Sequence, residues 1–159
     1  MRTVLFLVVA LAAPLCGQQR DVFKVDFTIR DSGDAGGKTG RKYSLLVYGQ
    51  EKGTFKVGNR VPVATGSNGQ NTQYTYVDVG VNMDVHLQEV LGKISIRADL
   101  DLSTAIMNEK APGANPTISQ IKLGVLTALP LGKPTIVASF DDPVTARKFD
   151  IEAAVNKIN

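Results

Sequence analysis

From Tyr76 to Leu87 the chain alternates without a break. Val77, Val79, Val81, Met83, Val85 and Leu87 point one way, and Tyr76, Asp78, Gly80, Asn82, Asp84 and His86 point the other. After Leu91-Gly92 the scheme repeats from Lys93 to Ser103: Ile94, Ile96, Ala98, Leu100 and Leu102 oppose Lys93, Ser95, Arg97, Asp99 and Asp101. A helix would scatter these apolar positions around its axis, whereas a strand gathers them on one face. One apolar face per strand is the signature of antiparallel sheets buried on one side. A slip of one residue would turn every apolar side chain to water, so the register is tightly specified.

The rest of the chain follows the same rule. Phe23, Val25, Phe27 and Ile29 alternate with Lys24, Asp26, Thr28 and Arg30. Tyr43 to Tyr48 is β-rich. Thr54 to Val57 and Arg60 to Thr65 read as two short strands around a break at Gly58-Asn59. Ile121, Leu123, Val125, Thr127 and Leu129 define another long strand, Pro134 to Phe140 a further one. Phe149, Ile151, Ala153 and Val155 set the last against Lys148, Asp150, Glu152 and Asn156. Turn chemistry separates them: a glycine-rich stretch over 31–40, Gly49 to Gly53, Leu131-Gly132-Lys133 and Asp141-Asp142-Pro143. Asn108 to Pro116 is a polar loop. The expectation is an all-β chain of about seven to nine strands, as an antiparallel β-sandwich or one curled sheet.

Met1-Arg2-Thr3 is a short basic start, followed by an apolar run from Val4 to Ala13 and a break at Pro14. That is the layout of a secretory signal peptide over residues 1–17, too short to span a bilayer as a helix. Cys16 permits a second reading as a lipidated residue, but Leu15 before it fits that signal poorly. With 159 residues in all, residues 18–159 are expected to form one domain. The expected location is outside the cytoplasm: periplasm, outer-membrane associated, or secreted.

Charge and chemistry exclude more than they suggest. Eighteen Lys and Arg against 15 Asp and Glu give a formal charge of +3, spread along the chain, which does not point to nucleic acid. One Cys and one His leave no disulfide framework within the chain and few soft metal ligands. No phosphate-binding loop, nucleophile elbow or zincin motif occurs, so no cofactor, metal, catalytic residue or small-molecule substrate is inferred. Asp84 with His86, and Asp99 with Asp101, are same-face pairs that a metal or a hydrolase could use. Their plainer reading is a solvated sheet face.

Several segments in order resemble the C-terminal core of secretins, the multimeric outer-membrane channels of type II and type III secretion and type IV pilus systems. Phe55 to Gly66, with Gly58, Pro62 and Gly66, looks like the family's hairpin segment. Tyr76 to Val85, with Asp78 and Gly80, looks like the strand that follows, and Lys93 to Ser103 the next. Pro116-Thr117-Ile118 and the segment from Gly132 to Val137 are similar to later family segments. Ala138-Ser139 stands where the family has Gly-Gly, and Asp141 to Arg147 replaces its following stretch. The resemblance implies a secretin-like β fold and action by binding or assembly. It also implies a protein partner or self-association, with the outer membrane a possible site. The resemblance leads to two functions, a non-enzymatic envelope module or a minimal pore-forming multimer; the Asp99/Asp101 or Asp84/His86 face leaves a third, a small secreted hydrolase.

Independent of the resemblance, Pro62 suits an edge, where no ladder donor is needed. Gly58 and Gly80 suit places where strands bend or another backbone approaches. The hairpin from Val61 to Tyr76 is the candidate contact edge, with Asn68-Gly69 at its tip and Tyr74 and Tyr76 beside it. That tyrosine pair reads either as cross-strand packing or as an exposed pair touching protein or lipid.

Overall fold

The computed structural model describes residues 21–33, 40–67, 71–107, 114–143 and 147–158. The signal-peptide segment, Cys16, Asn68 and Gly69 lie outside the described residues. Eight strands occur in chain order: β1 (Val22–Asp31), β2 (Arg41–Tyr48), β3 (Lys52–Ser67), β4 (Thr72–Val90), β5 (Lys93–Ile106), β6 (Thr117–Leu129), β7 (Thr135–Asp141) and β8 (Lys148–Ile158). They form two antiparallel four-stranded sheets, ordered β2-β1-β8-β7 and β3-β4-β5-β6. No helix occurs among the described residues, and none is long and apolar enough to cross a membrane.

The alternation explains the core. Phe23, Val25, Phe27, Ile151 and Val155 line the inner face of the first sheet; Met83, Val85, Leu87, Ile94 and Ile96 line that of the second. Each such side chain contributes about 1.5–3 kcal/mol when fully buried. The strands alternate because only one face of each sheet meets the other sheet.

One expectation fails. Gly58-Asn59 does not separate two short strands. β3 runs unbroken through it for 16 residues, paired to β4 from Lys52↔His86 to Ala64↔Tyr74 and, after a shift between Ala64 and Gly66, to Ser67↔Thr72. The glycine serves a close approach of backbones within the ladder, not a turn.

Two turns at one end fix the second sheet. Leu91-Gly92 closes β4 onto β5 with positive φ at both residues, 52° and 74°. Gly132, at φ 72°, donates its N–H to the Val155 carbonyl at 2.8 Å and ties the β6–β7 turn to the first sheet. At the same end Lys157 bridges Asp21 at 2.7 Å and Glu89 at 3.6 Å, linking β8 to β4.

Candidate functional site

β3 stays paired to β4 along its length, from Lys52↔His86 to Ser67↔Thr72, but β4 and β5 part before β4 ends. The β4–β5 ladder runs from Val90↔Lys93 to Val81↔Leu102 and stops. One rung further Gly80 would face Ser103. There the serine side chain takes the place of its backbone: Gly80 N–H donates to Ser103 Oγ at 3.0 Å, and that hydroxyl reaches back to the Gly80 carbonyl at 3.4 Å. Beyond this point β5 continues with β6 as far as Ile106↔Thr117, while β4 continues with β3 alone. The sheet therefore divides into two arms. Cavities of about 340 Å³ open on either side of the division, both lined by Gly58, Gly80 and Ser103.

Gly58 and Gly80 are register partners at the root of the β3–β4 arm. Gly80 N–H points to β5, so Gly58 and Gly80 form a non-hydrogen-bonded pair, the closer of the two antiparallel pair types. By the same parity Arg60, Pro62 and Ala64 turn their main-chain groups away from β4. Pro62, which has no N–H, therefore costs the ladder nothing. β3 is the edge strand of its sheet.

The outer face of the arm is open to solvent. Tyr74 and Tyr76 are 57% and 59% exposed, and their register partners are the smaller Ala64 and Pro62. Among the described residues these small partners leave most of each ring uncovered. Asp78 takes a bond from Arg60 Nε at 3.0 Å, with both side chains exposed. Gly66 lies on β3 near its end, Pro116 directly before β6, and Gly132 in the β6–β7 turn.

Two of the carboxylates weighed for chemistry, Asp84 and Asp101, are held in structural bonds. Asp84 accepts from Thr54 Oγ1 at 2.8 Å and pairs with Lys52 Nζ at 2.9 Å. Hydrogen bonds from Lys52 and Thr54 hold its carboxyl below the usual range. Both oxygens of Asp101 accept from Gln120 Nε2 at 2.9 Å. His86 and Asp99 are exposed on the outer face. Among the described residues no three His, Cys, Asp or Glu gather as metal ligands. Asp142 is buried, and its N–H donates to the Arg147 carbonyl at 2.8 Å.

Two features were not anticipated from sequence. Asp26 belongs to the outward row of β1, yet it is only 8% exposed. Lys24, Lys42 and Ser44 close over it. Asn115, in the polar loop before β6, holds both main-chain groups of Ala64. Its Oδ1 accepts from Ala64 N–H at 2.6 Å, and its Nδ2 donates to the Ala64 carbonyl at 2.8 Å.

This arrangement of strands recurs in solved structures. The β-barrel of the InvG secretin domain from the Salmonella SPI-1 injectisome superposes with a TM-score of 0.57 over 88% of this chain, at 12% identity. The fold is that of the secretin domain. The type II secretin GspD from enteropathogenic Escherichia coli gives 0.56 over 88% of this chain and 66% of its own, at 9% identity. Aeromonas hydrophila ExeD gives 0.54 over 87% of this chain and 46% of its own, at 10% identity. The chain spans 62% of the InvG domain's length. No family model and no curated protein matches the chain in sequence. The secretin-like fold accordingly rests on architecture, in agreement with the fold that the sequence resemblance implied.

Proposed function

We propose that this chain is an exported, non-enzymatic envelope protein whose secretin-like domain acts by assembly, joining copies of itself or a protein partner along the β3 edge. The observation that carries this reading is the β3–β4 arm. It leaves its sheet at Gly80, presents an edge strand, and exposes Tyr74 and Tyr76 beside it. An edge strand offers its main chain to another strand, and exposed tyrosines are favoured anchors of protein interfaces. The similar structures include secretins described together with other proteins: InvG with PrgH and PrgK, and PulD with PulS and PulC. A role linked to secretion or pilus machinery is the corresponding proposal here. Asp84 and Asp101 are tied up by Lys52, Thr54 and Gln120, which supports the non-enzymatic reading.

Deleting residues 66–70 tests this. The shortened chain is expected to fold with an unchanged circular dichroism spectrum and to lose self-association in sedimentation velocity. Association like that of the parent would reduce the hairpin to a loop. A second reading, a minimal pore-forming multimer in the outer membrane, draws on similar structures described as a secretin β-barrel and as part of an outer membrane complex. A heat-resistant ring extracted only by detergent would establish it; a monomer soluble without detergent would remove it.

A further inference from the structure

We infer that Asn115 is a built-in cap on the assembly edge, occupying the place of one residue of an incoming strand. The inference rests on the proposed use of the β3 edge and names what controls access to it.

In an antiparallel ladder a hydrogen-bonded residue pair exchanges two bonds, N–H to C=O each way. The Asn115 carboxamide gives Ala64 both of them, at 2.6 and 2.8 Å. Three observations place those Ala64 groups on the outward side of β3. Gly80 N–H goes to Ser103 and so points away from β3. Gly58, its register partner, shares parity with Pro62 and Ala64. Pro62 has no N–H to give β4. Arg60 and Ala64 therefore flank a proline that has no N–H to donate. Within this short stretch Ala64 is the outward residue next to the bulge that can offer both donor and acceptor to a new strand. Asn115 occupies it.

The cap also explains how a long arm avoids indiscriminate pairing. Edge strands are commonly blunted by proline, bulges or covering loops. Here all three fall together: Pro62, the shift between Ala64 and Gly66, and the loop carrying Asn115. The proline and bulge are permanent. The carboxamide is exposed and reversible, so a second copy of this chain displaces it by offering the same two bonds from its own backbone.

The test uses the full-length chain and sedimentation velocity over a concentration series. Asn115→Ala removes the competitor and is expected to tighten self-association about tenfold, the equivalent of one to two exposed hydrogen bonds. Ala64→Pro removes the outward N–H, which β4 does not use, and is expected to abolish association alone and in combination with Asn115→Ala. If Asn115→Ala does not fold, Asn115→Asp keeps the acceptor, loses the donor, and is expected to tighten association in the same direction. If the parent associates, Ala64→Pro abolishes it and neither Asn115 variant tightens it, the edge is used and the cap is overturned. If Ala64→Pro leaves association unchanged, the β3-edge reading falls, and the cap with it; if no variant associates, the cap displaced by a second copy is overturned.

Discussion

Gly58 and Gly80 face each other across the β3–β4 ladder, and neither position has room for a side chain. A Cβ on Gly58 would lie 2.2 Å from the Val79 carbonyl oxygen, and one on Gly80 would lie 2.2 Å from the Val57 carbonyl oxygen. Gly80 also sits at φ 145°, a conformation that other residues rarely adopt. These atoms belong to backbone held in a ladder, so they cannot swing aside. The pair lets β3 and β4 close up where β4 leaves β5.

Gly80→Ala is therefore expected to cost roughly 2–4 kcal/mol of stability, through steric overlap and strain together. Gly58→Ala, with overlap only, is expected to cost somewhat less. Gly124 is the control. It too lies in a strand, but its Cβ would meet only Asp99 Oδ1, at 3.5 Å. Gly124→Ala is expected to change stability by less than about 0.5 kcal/mol. Urea unfolding of the three variants checks the order; equal effects at 58, 80 and 124 would refute the close-approach account.

Asp26 is expected to give the fold a dependence on acid. Burial pushes its carboxyl up, but the Ser44 hydroxyl and the ammonium groups of Lys42 and Lys24 together outweigh this and hold it below its ordinary 3.8. A carboxyl whose folded value is depressed stabilises the fold fully above its unfolded value. That stabilisation is lost as pH falls through the lower, folded value. Asp26→Asn is thus expected to cost about 1–2 kcal/mol at pH 7, since hydrogen bonds to a charged group are the stronger kind. The gap between parent and variant should shrink as pH drops below 3.8. A gap that stays constant to pH 2.5 or so would show that the charge is not what matters.

Much of the fold is legible in the sequence because half-buried strands write their faces into it. β1, β4, β5 and β8 each show the alternation, and each has one face in the core. β3 is harder. Val57, on its inner row, is 52% exposed, and Gly58-Asn59 looks like a turn. Its continuity depends on Gly80, a residue 22 positions away that only the register brings opposite. The same limit hides the cap: Asn115 is an ordinary polar loop residue until the fold sets it against Ala64. Asp26 reads as an outward polar residue, and only its neighbours on β2 and its own strand reveal that it is covered. Patterns along the chain specify faces; relations between distant strands leave no local mark.

Leu91 breaks a local rule. It occupies the first position of the β4–β5 turn at φ 52° and is 99% exposed. Two-residue turns of this kind favour Asn there, because a short polar side chain tolerates the left-handed region. Leu91→Asn is expected to raise stability by about 0.5–1 kcal/mol, since it relieves strain and uncovers no core. Thermal melting checks it. A loss of stability would mean that the leucine makes a contact in solution that covers its side chain.

Tyr74 and Tyr76 separate stability from assembly. Both rings stand on the outer face of the arm, more than half exposed, opposite Ala64 and Pro62. Truncating them opens no cavity and breaks no ladder bond, so Tyr74→Ser with Tyr76→Ser should leave unfolding within about 0.5 kcal/mol of the parent. Their effect on association should be much larger. An aromatic anchor at the centre of an interface commonly contributes 2 kcal/mol or more, about thirtyfold in affinity. The double variant is therefore expected to weaken self-association at least thirtyfold at unchanged stability. Ala64→Pro acts on the main chain of the same edge and should abolish association by a different route. If the tyrosine variant associates as the parent does while Ala64→Pro fails, the strands add through backbone alone and the rings face solvent in the assembly. If both associate normally, the contact surface lies on another edge: β2 or β7 of the first sheet, or β6 of the second.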